Sequence, residues 1–116
     1  MNEQRHIIEI FPDNDPRTNP RWYALYTKPR AEKKVRERLE EKGFTVYLPM
    51  KEEKRQWSDR TKVIEVPLLN SYIFVYIPLI DSLPVLKTKG AIGFVQFKRE
   101  YAPIPEYQID TLKKSL

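Results

Sequence analysis

The sequence predicts an α+β fold in which an antiparallel sheet carries its helices gathered on one face. Three observations carry this. Tyr72-Ile73-Phe74-Val75-Tyr76-Ile77 is an unbroken apolar run between Asn70-Ser71 and Pro78, short and proline-bounded, as a strand buried on both faces is. Ala31, Val35 and Leu39 recur at i, i+4 steps between Pro29 and Gly43, the stripe of an amphipathic helix. Trp22, Ala24 and Tyr26 alternate with Tyr23 and Leu25, which gives a second strand with one face more aromatic than the other.

In chain order, residues 1–20 read as a flexible leader, since Phe11 to Pro20 holds three prolines among Asp and Asn residues. Within it His6-Ile7-Ile8-Glu9-Ile10-Phe11 could add an edge strand or dock on a partner. The fold, residues 21–116, opens with the Trp22–Thr27 strand. A helix then starts at Pro29, whose missing N–H is unneeded in a first turn. Glu32 with Arg36 and Lys33 with Glu37 are expected to pair on its solvent side. A charged helix with so narrow an apolar stripe lies across one sheet face and leaves the other uncovered.

Phe44 to Met50 resumes extended structure. Lys51 to Val66 reads as a long hairpin with its tip near Gln56 to Arg60, because Ser58-Asp59 supplies turn chemistry. After the central strand, Ser82 can cap a short helix that tolerates Pro84 in its first turn, with Leu83 and Leu86 facing inward and Gly90 stopping it. Gly93 to Phe97 forms another strand and Tyr101 to Pro105 an edge segment. A last helix starts near Pro105, with Ile109, Leu112 and Leu116 on one side. The order β-α-β-β-β-α-β-α describes an RRM-like or ferredoxin-like sandwich.

Composition narrows the function. At 116 residues the chain is one domain, and 41% apolar with 32% charged residues argues against global disorder. No apolar stretch approaches the roughly 20 residues a bilayer crossing needs, so no membrane partner is expected. Cysteine is absent and His6 is the single histidine, which disfavours disulfides, thiolate or histidine catalysis, and zinc sites alike, and suits a reducing cytoplasm. Neither enzymatic activity nor a cofactor is expected. Of the net charge of +5, most sits in residues 22–43, where seven basic side chains face four acidic ones. That permits weak phosphate contact but falls short of the dense basic stripe of an autonomous DNA binder.

Three spaced segments, Trp22 to Glu32, Val66 to Val75 and Gly90 to Val95, resemble the N-terminal (NGN) domain of NusG-family transcription elongation factors. The resemblance is nearest to the specialised RfaH and UpxY paralogues, antiterminators of capsular polysaccharide operons, and Arg55-Gln56-Trp57-Ser58-Asp59-Arg60 is similar to UpxY. It implies a monomer that binds the β′ clamp helices of RNA polymerase through an apolar depression on the sheet face and promotes processive transcription. By position the depression would include Leu69, Tyr72, Phe74 and Phe97, open to solvent, with Tyr26 and Lys89 at its border. The resemblance also implies that the start of the second helix, Asp81 and Ser82, contacts the non-template DNA strand, with Arg55, Trp57 and Arg60 of the hairpin nearby. Leu69-Asn70-Ser71-Tyr72 departs from the aromatic-Pro-Gly-Tyr or aromatic-Pro-Asn-Tyr turn usual in the family, which makes the lip of the depression less aromatic. The chain ends where a linker and a KOW domain would follow. A competing reading is an RRM-like module for single-stranded RNA, because Ser71 to Tyr76 echoes an aromatic, base-stacking strand but lacks the basic-Gly start of that motif.

Overall fold

The structure, a computed structural model, describes residues 15–115. The possible strand at His6 to Phe11, the rest of the leader before Asp15, and Leu116 lie outside the described residues. The elements are β1 (Arg21–Thr27), α1 (Glu32–Glu41), β2 (Thr45–Tyr47), β3 (Met50–Trp57), β4 (Arg60–Pro67), β5 (Tyr72–Ile77), a 3-10 turn (Leu79–Asp81), α2 (Ser82–Leu86), β6 (Ala91–Phe94), β7 (Gln96–Phe97), β8 (Glu100–Tyr101), β9 (Pro103–Ile104) and α3 (Glu106–Ser115). The main sheet runs β2-β5-β1-β6 with β9 also on β1, and its pairings are all antiparallel. The α+β class read from the sequence is what the chain adopts.

β5 is an inner strand between β2 and β1, and its alternate residues serve two cores. Ile73, Val75 and Ile77 join Tyr23 and Leu25 under Val35 and Leu39 of α1 and Val85 of α2. Phe74 faces the other way with Trp22 and Ala24, and there Ile109 of α3 is buried against them. The helices are therefore divided: α1 and α2 cover one face and α3 the other. This corrects the expectation that one face stays open. A strand apolar on both parities needs a cover on both sides, and α3 supplies the second with Ile109, Leu112 and Lys113. The Lys113 ammonium stands 5.6 Å from the Trp22 ring centroid and 5.2 Å from that of Tyr47, within cation–π range.

Several local expectations shift. Pro29 lies in a turn, with Arg30 in the left-handed region at φ 64°, and α1 begins only at Glu32. Glu32 is not on the solvent side but 4% exposed. Gly43 takes φ 91° just past the helix, where Phe44 N–H donates to Leu39 O at 3.1 Å and closes it. The residue capping α2 is Asp81 rather than Ser82, and it makes no side-chain cap bond. Val85 is the buried residue of α2, while Leu83 is exposed. Residues 15–18 form a turn in which Asp15 grips Arg17, Oδ2 to Nη2 at 2.8 Å. That turn is bonded to the body of the protein, since Leu79 N–H donates to Pro16 O and Ile80 N–H to Arg17 O.

Candidate functional site

Three neighbouring strands end together at one edge of the α3 face. Tyr72 of β5 pairs with Tyr26 of β1, which pairs with Gly93 of β6. Residues in register point to the same face, so two aromatic rings and a bare glycine lie side by side. The tyrosine ring centroids are 4.6 Å apart, inclined at 44°. A hydrogen bond with Tyr26, reinforced by burial, holds the Tyr72 phenol above its ordinary pKa. Tyr26 is 38% exposed and Tyr72 half-buried. A Cβ placed on Gly93 would meet no atom within 4 Å. The result is an open aromatic step, beyond the part of the sheet that Ile109 covers.

Backbone and carboxylate bonds fix this step. Thr27 N–H donates to Ser71 O and Lys28 N–H to Gly90 O, both at 2.9 Å. Ser71, left-handed at φ 67°, donates its N–H to Glu32 Oε2 at 2.6 Å. The buried carboxylate thus ties the first turn of α1 to the loop carrying Leu69 into Tyr72. A charge-assisted bond to a part-buried N–H contributes about 1.5–3 kcal/mol. Glu32→Ala should lose about that much in urea denaturation at unchanged m-value, and Glu32→Gln, which keeps an acceptor, clearly less. Equal losses would mean that the contact is packing and not hydrogen bonding.

The expected docking residues do not all converge. Tyr26 and Tyr72 form the step. Leu69, 40% exposed, lies three residues before Tyr72 in the anchoring loop. Lys89 is exposed beside Gly90, and its carbonyl accepts from Arg38 Nη1 at 2.9 Å. Phe74 is 8% exposed, enclosed by Trp22, Ala24 and Ile109, with Tyr47 stacked at 6.2 Å. Its expected place in an open pocket is therefore wrong, because α3 fills that space. Phe97, 67% exposed, sits outside the main sheet on the β7–β8 hairpin, with Lys98 Nζ 5.4 Å from its ring centroid.

The expected DNA-contact residues fall into two places. β3 and β4 form a separate two-stranded ribbon in the register Trp57↔Arg60 and Arg55↔Lys62, so Arg55, Trp57 and Arg60 share one face. Asp81 and Ser82 follow the far end of β5. The ribbon leaves the sheet near the Tyr72 end, where Leu68 N–H donates to Pro49 O. A six-residue strand, roughly 20 Å long, separates the two groups. The nearness expected between them does not occur, because β5 intervenes.

What sequence reading missed is Gly93 and the first turn of α1. A glycine opposite an exposed tyrosine is visible only once the register is known. Beside α1, a hollow of about 680 Å³ is lined by Arg30, Lys33, Lys51 and Arg55 among others. Among the described residues no group of three or more carboxylate or imidazole side chains is placed to hold a metal ion, and no helix is long and apolar enough to cross a membrane.

A family profile described as transcription termination factor nusG matches residues 20–113. No curated protein matches the chain.

Proposed function

The chain belongs to the NusG family, and from that premise we propose that it is an NGN domain of the UpxY or RfaH type that docks on the RNA polymerase β′ clamp helices and sustains elongation. NusG-family factors act in transcription elongation and antitermination without catalysis of their own. On this reading the chain acts as a cytoplasmic monomer and its targets are polysaccharide operons.

The observation that carries the docking surface is the open step of Tyr26, Tyr72 and Gly93. Tyrosine gives large contact area at small entropy cost, and a bare glycine lets a partner helix approach the backbone. Leu69 and Lys89 border the step, and Phe97 extends the apolar surface from its own hairpin. The non-template DNA strand of the elongation complex would meet the ribbon through Arg55, Trp57 and Arg60, with Asp81 and Ser82 a separate and weaker contact. The RRM-like alternative is less well supported, because α3 lies over Trp22 and Phe74, rings that a base-stacking sheet would need free.

The test is capture of a clamp-helix fragment and of core polymerase. Tyr72→Ala should weaken capture at least tenfold with the fold intact by circular dichroism. Gly93→Glu, which adds a side chain into open space, should do the same by obstruction. Capture of both variants at the level of the unaltered chain would refute the assignment.

A further inference from the structure

The turn at residues 15–18 sits at the rim of a second hollow, of which Pro16 forms one wall. The turn is pinned there, with Leu79 N–H donating to Pro16 O at 2.9 Å and Ile80 N–H to Arg17 O at 3.0 Å. The hollow has a volume of about 600 Å³ and is backed by Tyr23, Leu79, Tyr101 and Pro103. That volume lies within the roughly 300–1,000 Å³ of pockets that take a ligand. Tyr23 alternates with Trp22 and Ala24 and joins the core under α1, so the hollow opens on the face of β1 opposite the Tyr26–Tyr72 step. Its two tyrosines belong to one aromatic series: the Tyr23 and Phe94 centroids are 6.0 Å apart, and those of Phe94 and Tyr101 4.9 Å. The rim sets two cations, Arg21 and Arg99, against one carboxylate, Glu100.

We propose that the leader of the same chain docks in this hollow, with Phe11 against Tyr101 and Leu79 and the carboxylates of Glu9 and Asp13 toward the cationic rim. The proposal does not rest on polymerase docking. Three observations favour this occupant. The leader enters the fold at Asp15, beside the Pro16 wall, and the five residues from Phe11 to Pro16 can span up to roughly 17 Å. Phe11 precedes Pro12, which biases it toward extended backbone, and in an extended segment Glu9, Phe11 and Asp13 share one face. That face, a ring flanked by two acids, complements an aromatic hollow with an excess of cations. A segment tethered so closely also meets its site at an effective concentration on the order of millimolar, an advantage over any free peptide of equal fit.

The chain has no cysteine, so His6→Cys gives a single attachment point for a nitroxide, and the experiment is paramagnetic broadening of amide signals in the full chain. The amides of Leu79, Arg99 and Tyr101 should lose most of their intensity, while those of Gln56 and Arg60 at the ribbon tip keep theirs. In the labelled chain, Phe11→Ser and Arg99→Glu should each restore the lost signals. Ile10→Ser, on the other face of the leader, and Lys98→Glu, at a residue that does not line the hollow, should not. Unbroadened amides at the hollow, equal broadening at the ribbon tip, or equal effects of Phe11→Ser and Ile10→Ser would each overturn the proposal. A mixture of isotope-labelled chain without nitroxide and unlabelled chain bearing it should show no broadening at these amides. Broadening there would mean that the leader enters a second copy, and docking within one chain would be wrong. Clamp-helix capture by Phe11→Ser should equal that of the unaltered chain, because the hollow and the aromatic step lie on opposite faces of β1. A change in capture would place the leader on the step instead and overturn the assignment to the hollow.

Discussion

Phe74→Ala is expected to lose about 3–5 kcal/mol of folding stability, the range for removing a buried aromatic ring. Phe74 pairs in register with Ala24 on one side and Tyr47 on the other, and Ile109 closes over it. Ala24 is too small to fill the vacated space, and Trp22 and Tyr47 are themselves held under Lys113. The cavity would persist, or α3 would detach. Either outcome is a large part of the roughly 5–15 kcal/mol that holds a typical domain together. Urea denaturation checks it. A loss below about 1 kcal/mol would mean that α3 does not cover the ring as the structure has it. The result also governs how binding data are read. Lost polymerase capture by a Phe74 variant would report unfolding, whereas Tyr72, at the open end of the same strand, probes the surface itself.

The placement of α3 shows what a sequence pattern can and cannot specify. Ile109 and Leu112 announce a helix with one apolar side, and the helix forms there. Amphipathicity says that a helix packs, not against which face. The deciding signal lay in β5: its six residues are apolar on both parities, and burial on both faces contradicts an uncovered sheet. The ribbon was legible because Ser58-Asp59 is turn chemistry between two long extended arms, and its tip lies where expected. The β7–β8 hairpin was not legible. Its turn puts Lys98 and Arg99 at φ 52° and 69°, a conformation that neither residue favours, so tertiary constraints decide it. The same applies to Arg30, whose left-handed φ delays the start of α1 by three residues, from Pro29 to Glu32. For the candidate site, residue types could be named from the sequence. Which of them meet depends on register and on the side from which the ribbon leaves the sheet.

Gly90→Ala is expected to cost about 3–5 kcal/mol, against about 1 kcal/mol for Gly43→Ala, although both glycines follow a helix and both have positive φ. At Gly43 a Cβ meets nothing within 4 Å, so only the left-handed backbone is penalised, by roughly 1 kcal/mol. At Gly90 the same backbone term applies at φ 96°, and the new Cβ would lie 2.7 Å from Val35 Cγ2. Val35 is fully buried in the stripe that α1 lays on the sheet. A β-branched side chain in a helix has essentially one rotamer and cannot swing away. The turn must therefore move, and with it the Gly90 carbonyl that accepts Lys28 N–H and the Lys89 carbonyl that accepts from Arg38. The first of these bonds joins the turn before β6 to the end of β1 that carries Tyr26, and the second joins it to α1. Gly90→Ala should accordingly weaken clamp-helix capture as well as stability, whereas Gly43→Ala should leave capture unchanged. Shortening Val35 to Ala in the Gly90→Ala background should return part of the loss, as expected of a contact between the two residues. If the two glycine variants were equally stable, the close approach of this turn to α1 would have no energetic consequence, and the anchoring of the aromatic step would have to reside in the bonds that Ser71 makes with Glu32 and Thr27.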